Sequence, residues 1–233
     1  MREHFRIGVL GGMGPEAGVL LQSLIIRATS AERDQDHLEV IAYTNPHVPD
    51  RTESLARDGG DSYLRAVIES LRLLDRAGVD ILVMACNTAH ARLPEIRASV
   101  GTPLLDIVDL AKREIAATDG NVGILATHGT VRSGLFALPD QPDKTQVPSE
   151  ALQAEVMAVI HDIKGGVKGE ALITRLVRVI SHMRETGCER FVLGCTELSI
   201  LHDDLTECEG EIFIDPLRLA ARELVRMARS PKS

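Results

Sequence analysis

The chain is expected to fold as two pseudo-symmetric α/β domains, each a mostly parallel sheet flanked by helices. Three observations predict this. Short apolar strands alternate with stretches of helical periodicity along the 233 residues, the pattern of β–α–β units. The alternation begins twice, at Gly8-Val9-Leu10 and again at Gly123-Ile124-Leu125. In each half a later strand ends on a cysteine, in Cys86-Asn87-Thr88 and in Cys195-Thr196-Glu197. The expected domains are 1–112 plus 213–233, holding Cys86, and 113–212, holding Cys195. Ligands of open α/β sheets bind at the carboxyl ends of the strands. Both cysteines are therefore expected to open into one cleft between the domains, from opposite sides.

The elements follow in order. Arg6–Leu10 reads as a buried strand running into Gly11-Gly12-Met13-Gly14, with Pro15 at the start of a helix that continues over Glu16–Arg27. Val40–Thr44 is a second strand. Asn45–Gly60 contains Pro46, Pro49, Gly59 and Gly60 and reads as a long functional loop. Asp61 is placed to cap a helix reaching Ala77 and ended by Gly78. Asp80–Ala85 and Pro103–Asp106 are further strands. The second half repeats the scheme, with strands at Asn121–Ala126, Glu189–Gly194 and Ile212–Asp215 and helices over Ser149–Lys164, Lys168–Thr186 and Pro216–Ala228.

Composition narrows the function. The net charge is −8, basic residues are scattered, and the chain has no Trp, two Tyr and four Phe, so a nucleic-acid partner is not expected. Apolar runs fall short of the ~20 residues of a membrane span, and no membrane role is expected. The opening MREHFRIGVLGG runs from charged residues straight into a strand without a signal-peptide core. A cytoplasmic protein is the expectation. The four cysteines, at 86, 188, 195 and 208, form no C-x-x-C pair and have no His at zinc-finger spacing, so free thiols and no metal are expected.

A symmetric pair of thiols suits a reaction that removes a proton from one face of a carbon and returns one to the other. One group must be ionised while the other is protonated, and a thiol can serve both states when its pKa is lowered. A strand end facing the amides that open the next helix is a place for such lowering. A lone cysteine is more often a small buried apolar residue, and Cys188 and Cys208 are read so. Asn87, Thr88, Thr127, Thr130 and Thr196 offer donors for a carboxylate, although Asn and Thr are also ordinary helix caps. The guanidinium of Arg51, in Pro49-Asp50-Arg51-Thr52, can grip a carboxylate through two parallel bonds. Lys164, at a helix end, reads by sequence alone as a solvated lysine favoured by the helix dipole. Gly12-Met13-Gly14-Pro15-Glu16-Ala17 fits the dinucleotide fingerprint, but Thr44 and Asn45 stand where a ribose-binding acid belongs. These glycines are read as a close-approach loop for a small substrate.

Taken together, Gly11-Gly12-Met13-Gly14-Pro15, Asn45-Pro46-His47-Val48-Pro49-Asp50-Arg51-Thr52, Cys86-Asn87-Thr88-Ala89-His90 and Gly194-Cys195-Thr196-Glu197-Leu198 resemble the aspartate/glutamate racemases, most closely the aspartate racemase branch. The resemblance implies a substrate that is a small acidic amino acid, no pyridoxal phosphate or other cofactor, no metal, and a homodimer. It implies Cys86 and Cys195 as proton donor and acceptor, and Arg51 and Lys164 as partners of the substrate carboxylates. Met13, Gly14, Pro49, Asp50, Ala89 and Glu197 are counted with them as substrate-binding positions. Ala85 departs from relatives that often carry Pro before the first cysteine. Retention of both thiols implies reversible interconversion. The alternatives are a related superfamily member, such as hydantoin racemase or maleate isomerase, and a non-catalytic amino-acid binder.

Overall fold

A computed structural model describes residues 4–230. The chain divides into two compact units, Met1–Ile107 with Leu217–Ser233, and Val108–Pro216. In the first unit the order is β1 (Arg6–Gly11), α1 (Pro15–Ala28), β2 (Glu39–Thr44), α2 (Arg51–Asp58), α3 (Asp61–Arg76), β3 (Ile81–Met84), α4 (Leu93–Arg97) and β4 (Leu104–Leu105). A 3-10 turn over Thr88–Arg92 precedes α4. Then come α5 (Ile107–Ala117), β5 (Asn121–Leu125), α6 (His128–Arg132), β6 (Thr145–Gln146), α7 (Glu150–Lys164), α8 (Glu170–Glu185), β7 (Cys188–Leu193), α9 (His202–Glu209) and β8 (Phe213–Ile214). The last helix, α10 (Pro216–Arg229), returns almost wholly to the first unit.

Each unit holds a four-stranded sheet, ordered β2-β1-β3-β4 and β6-β5-β7-β8. Every pairing is parallel. The two orders are the same once the strands are numbered within each half. The central strands are continuous apolar runs, as strands covered on both faces require; all four residues of β3, Ile81 to Met84, are buried. The flanking helices bury one stripe each: Tyr63, Val67, Ser70, Leu71 and Leu74 on α3, and Leu172, Ile173, Leu176, Val179, Ile180 and Met183 on α8. Fully burying such an apolar side chain contributes about 1.5–3 kcal/mol. Among the described residues no helix is long and apolar enough to cross a membrane.

Two expectations are corrected here. The segment after Asn45 is not one long loop, because Arg51–Asp58 is helical. Asp50 caps it, accepting from Thr52 N at 2.8 Å and Glu53 N at 3.0 Å. Gly59, at φ 65°, ends it in the left-handed conformation. Pro and Gly mark the two ends of this helix, and reading them as a continuous loop missed what they enclose. Asp61 is not the cap of α3 but its first helical residue, following Gly60.

The glycine-rich turn after β1 is shaped by the fold itself. A Cβ on Gly12, at φ +98°, would lie 2.3 Å from the Asn45 carbonyl. A Cβ on Gly18 would lie 2.9 Å from Gly11 Cα, which shows how closely α1 lies on β1. These close approaches are to the protein's own backbone. Gly12→Ala should cost about 3 kcal/mol or more through backbone collision plus left-handed strain. Gly59→Ala, with open space around its Cβ, should cost only about 1 kcal/mol. Urea denaturation of both variants checks this, and equal losses would contradict it.

Candidate functional site in two half-sites

Each unit carries one thiol in an equivalent place. Cys86 and Cys195 are the second residues after β3 and β7, the inner strands that pair with β1 and β5. The residue before each continues the ladder: Ala85 N donates to Leu10 O at 2.9 Å, and Gly194 N donates to Leu125 O at 2.7 Å. A proline at position 85 would have no N–H to give. Both thiols are free and buried, at 4% and 5% exposure. Cys188 is likewise buried, within reach of Gln146 Oε1 at 3.4 Å, while Cys208 is exposed.

In the first half-site the chain turns after Cys86 into the 3-10 segment, with Asn87, Thr88, Ala89 and His90 all buried. Neither amide atom of Asn87 has a hydrogen-bond partner among the described residues, although buried polar groups are as a rule hydrogen-bonded. Ala89 is fully buried, in the same core cluster as Cys86. His90, which the sequence reading left out of the site, holds Nδ1 at 2.8 Å from Cys86 O. A carbonyl only accepts, so Nδ1 carries the proton of the neutral ring. Burial pushes the imidazole pKa down, opposed first by the Asp106 carboxylate. The available signal was spacing, because a residue four beyond Cys86 returns to it on a helical turn.

Arg51 is the first residue of α2 and is buried. Its Nη1 donates to Val48 O at 3.3 Å and Pro49 O at 3.2 Å, and its Nη2 to Met13 O at 2.7 Å. Through these bonds Arg51, expected in a loop, stands in a helix and ties the turn after β1 to the start of α2. Met13 contributes its carbonyl to this brace. Its side chain lies in the core with Leu10, Val48 and Tyr63, because an unbranched apolar chain is better buried than offered to an anion. The Asp50 carboxylate is given to the α2 cap, and Gly14 is the N-cap residue of α1.

In the second half-site Cys195 Sγ donates to Glu197 Oε2 at 2.8 Å, and Thr196 Oγ1 lies 3.5 Å from the same oxygen. All three residues are buried. Burial first, and the Glu197 charge second, push the Cys195 thiol well above its ordinary range, against the pull of Lys164. This corrects the expected lowering at this position: desolvation and an adjacent carboxylate outweigh the short turn that follows. Lys164 ends α7 with its side chain exposed, yet its charge is felt at Cys195. Thr127 caps α6, accepting from Thr130 N at 3.2 Å, and its hydroxyl also reaches Thr130 Oγ1 at 3.2 Å.

A second layer repeats between the halves, and the sequence reading missed it. Ser199, four residues after Cys195, donates to Asp215 Oδ1 at 2.8 Å. His90, four residues after Cys86, feels the charge of Asp106. Each aspartate directly follows the last strand of its sheet. Among the described residues no group of three or more His, Cys, Asp or Glu side chains is gathered as a metal ion would need.

The chain is similar to known proteins over most of its length. The model of a family described as Asp/Glu/Hydantoin racemase matches residues 10–224. The solved structure of Picrophilus torridus aspartate racemase is 29% identical, with a TM-score of 0.84 over 96% of this chain and 94% of that one. A glutamate racemase from Francisella tularensis, solved with D-glutamate, shares the fold at 18% identity and TM-score 0.73, over 97% of this chain and 81% of that one. The glutamate racemase of Deinococcus radiodurans is 33% identical over 171 residues, 72% of this chain and 57% of that protein. The broad specificity amino-acid racemase RacX of Bacillus subtilis is 28% identical over 56% of this chain and 58% of its own length. The chain thus spans somewhat more than half of these two curated relatives.

The thiol–carboxylate pair makes a prediction. Glu197→Gln removes a charge that opposes thiolate formation at Cys195. Alkylation of Cys195 by iodoacetamide at mildly alkaline pH should rise by about 10-fold, read by peptide mass spectrometry. An unchanged or slower rate would show that burial alone governs this thiol.

Proposed function

Because the chain belongs to the Asp/Glu/Hydantoin racemase family, we propose that it inverts an acidic amino acid, aspartate in the first place, with Cys86 and Cys195 as its two acid/base groups. The observation that carries this reading is the equivalent placement of two buried free thiols just beyond the inner strands of two like-ordered parallel sheets. One thiolate takes the α-proton, forming S–H, and the electron pair stays on the substrate as an enolate of its carboxylate. The other thiol then gives its proton to the opposite face of the same carbon and is left as a thiolate. Run backwards, the roles exchange, so both enantiomers are substrates. No cofactor is required by these steps. Substrate carboxylates are assigned to the unpaired Asn87 amide, to Thr88 and Thr196, and to the charge of Lys164.

Aspartate is favoured by the likeness to the Picrophilus enzyme, which extends over nearly all of both chains. Glutamate is the second reading, supported by the relatives named glutamate racemase at 27–33% identity. Incubation of L-aspartate, L-glutamate and L-alanine with the protein in deuterium oxide, without added cofactor, tests both. Chiral chromatography should show the D-enantiomer of an acidic substrate, carrying deuterium at the α-carbon. Cys86→Ser and Cys195→Ser should each lower inversion by about 10²–10⁴-fold, and full activity in either would sink the two-thiol mechanism.

Arg51 yields a separate expectation. Its three carbonyl contacts make it a structural brace, so Arg51→Ala should cost about 2–4 kcal/mol of stability. It should lower kcat/KM for acidic and neutral amino acids by the same factor. A loss confined to aspartate and glutamate would instead assign Arg51 directly to the side-chain carboxylate.

A further inference from the structure

The turn that follows Cys86 is not α-helical. Thr88–Arg92 is a 3-10 segment, in which an N–H bonds the carbonyl three residues back instead of four. His90 N accordingly donates to Asn87 O at 2.9 Å. In an α-helical turn the same N–H would go to Cys86 O. Here the His90 ring supplies that bond, with Nδ1 at 2.8 Å from Cys86 O. The residue is buried, and its Nε2 has no hydrogen-bond partner among the described residues. An apolar side chain of similar size would fill the place without stranding Nε2, so the Nδ1 bond is what histidine adds here. The second half closes its turn differently. Leu198 N donates to Cys195 O at 2.9 Å, and Ser199, at the place of His90, gives its hydroxyl to Asp215.

We infer that His90 is a positioning residue for Cys86: its Nδ1–H holds the Cys86 carbonyl and thereby fixes the direction of the thiol. The inference deepens the racemase reading and rests on it for its catalytic purpose. A peptide unit is planar, so holding the Cys86 oxygen holds the whole plane between Cys86 and Asn87. On the sheet side the chain is held by Ala85 N, which donates to Leu10 O at 2.9 Å. At the far end of the turn, Arg92 Nη1 donates to Gly59 O at 2.5 Å and to Asp61 Oδ1 at 3.0 Å.

Between these anchors the turn has two ways to bond Cys86 O. The ring can hold it, as here, or the His90 N–H can take it and make the turn α-helical. Passing from one to the other rotates the peptide after Cys86 and moves the thiol relative to the substrate carbon. A misplacement of about 1 Å at a reacting group can cost about 100-fold in rate. The ring itself transfers nothing. Nδ1 keeps its proton while S–H forms and breaks at Cys86.

His90→Leu and His90→Asn test this as a pair. Asn Nδ2 lies as many bonds from Cα as His Nδ1 and can donate, whereas the Leu methyl in that place cannot. In His90→Leu, kcat for the acidic substrate should fall about 30-fold with KM changed less than about two-fold. His90→Asn should restore kcat to within about three-fold of wild type. Iodoacetamide alkylation at neutral pH, resolved by peptide, reads the thiols without turnover. A loosened turn should make the buried Cys86 of His90→Leu react about 5-fold faster, with Cys195 unchanged and His90→Asn at the wild-type rate. A thiol that reacts faster yet turns over more slowly is a displaced one, whereas general loosening of the fold would speed both cysteines. Wild-type kcat and Cys86 alkylation in His90→Leu, equal losses in the two variants, or equal acceleration of both thiols would overturn the inference. Should His90→Leu fail to fold, His90→Asn decides alone: a wild-type Cys86 rate supports the inference and a faster one overturns it. A wild-type protein that racemises nothing would refute the functional reading, while alkylation still scores the hold of His90 on Cys86.

Discussion

One backbone hydrogen bond in each unit sets up the chemistry. Ala85 N to Leu10 O, and Gly194 N to Leu125 O, carry the parallel ladder one residue past the formal ends of β3 and β7. The next residue, a cysteine in both cases, therefore leaves the sheet from a fixed point and in a fixed direction. A parallel strand buried on both faces has little freedom to slip, because a shift of one residue would turn every side chain to the opposite face. Gly194 shows how tight this point is, since a Cβ there would lie 2.8 Å from that of Ala126.

Equivalent backbones then carry unlike side chains. Cys195 is buried against a carboxylate and held as a thiol. In the turn that follows Cys86 the polar groups include the neutral His90 and the unpaired Asn87 amide. Pseudo-symmetry sets where the two groups sit, and the local substitutions give each its own electrostatic bias. The proposed inversion at carbon would use this combination, because its two faces need similar geometry and opposite protonation states.

Buried polar atoms without a hydrogen-bond partner among the described residues occur in both units, with Gln153 Oε1 an example in the second. Asn87 and Tyr63 each leave polar atoms unpaired in the interior, a cost of about 1–3 kcal/mol per group. Both lie in the unit of Cys86, one beside it in sequence and one in the same core. Arg51 gives its Nη1 and Nη2 to three carbonyls and stabilises the turn that the first half-site is built on.

Much of this protein is legible in its residues alone. The repeated G-[VI]-L strands, the two strand-end cysteines and the helical stripes depend on local periodicity, so the α/β alternation and the two thiol positions could be read directly. The helix at Arg51–Asp58 was missed because Pro and Gly report where a helix may end without saying what lies between them. What only the tertiary structure decided is the environment of each group. That Glu197 meets Cys195, that Asp215 meets Ser199, that Gly12 clears Asn45 and that Arg51 reaches Met13 are matters of which atoms the fold brings together. Desolvation and charge act through space, so a thiol expected to ionise easily from its place at a strand end is held protonated by burial and by its neighbour.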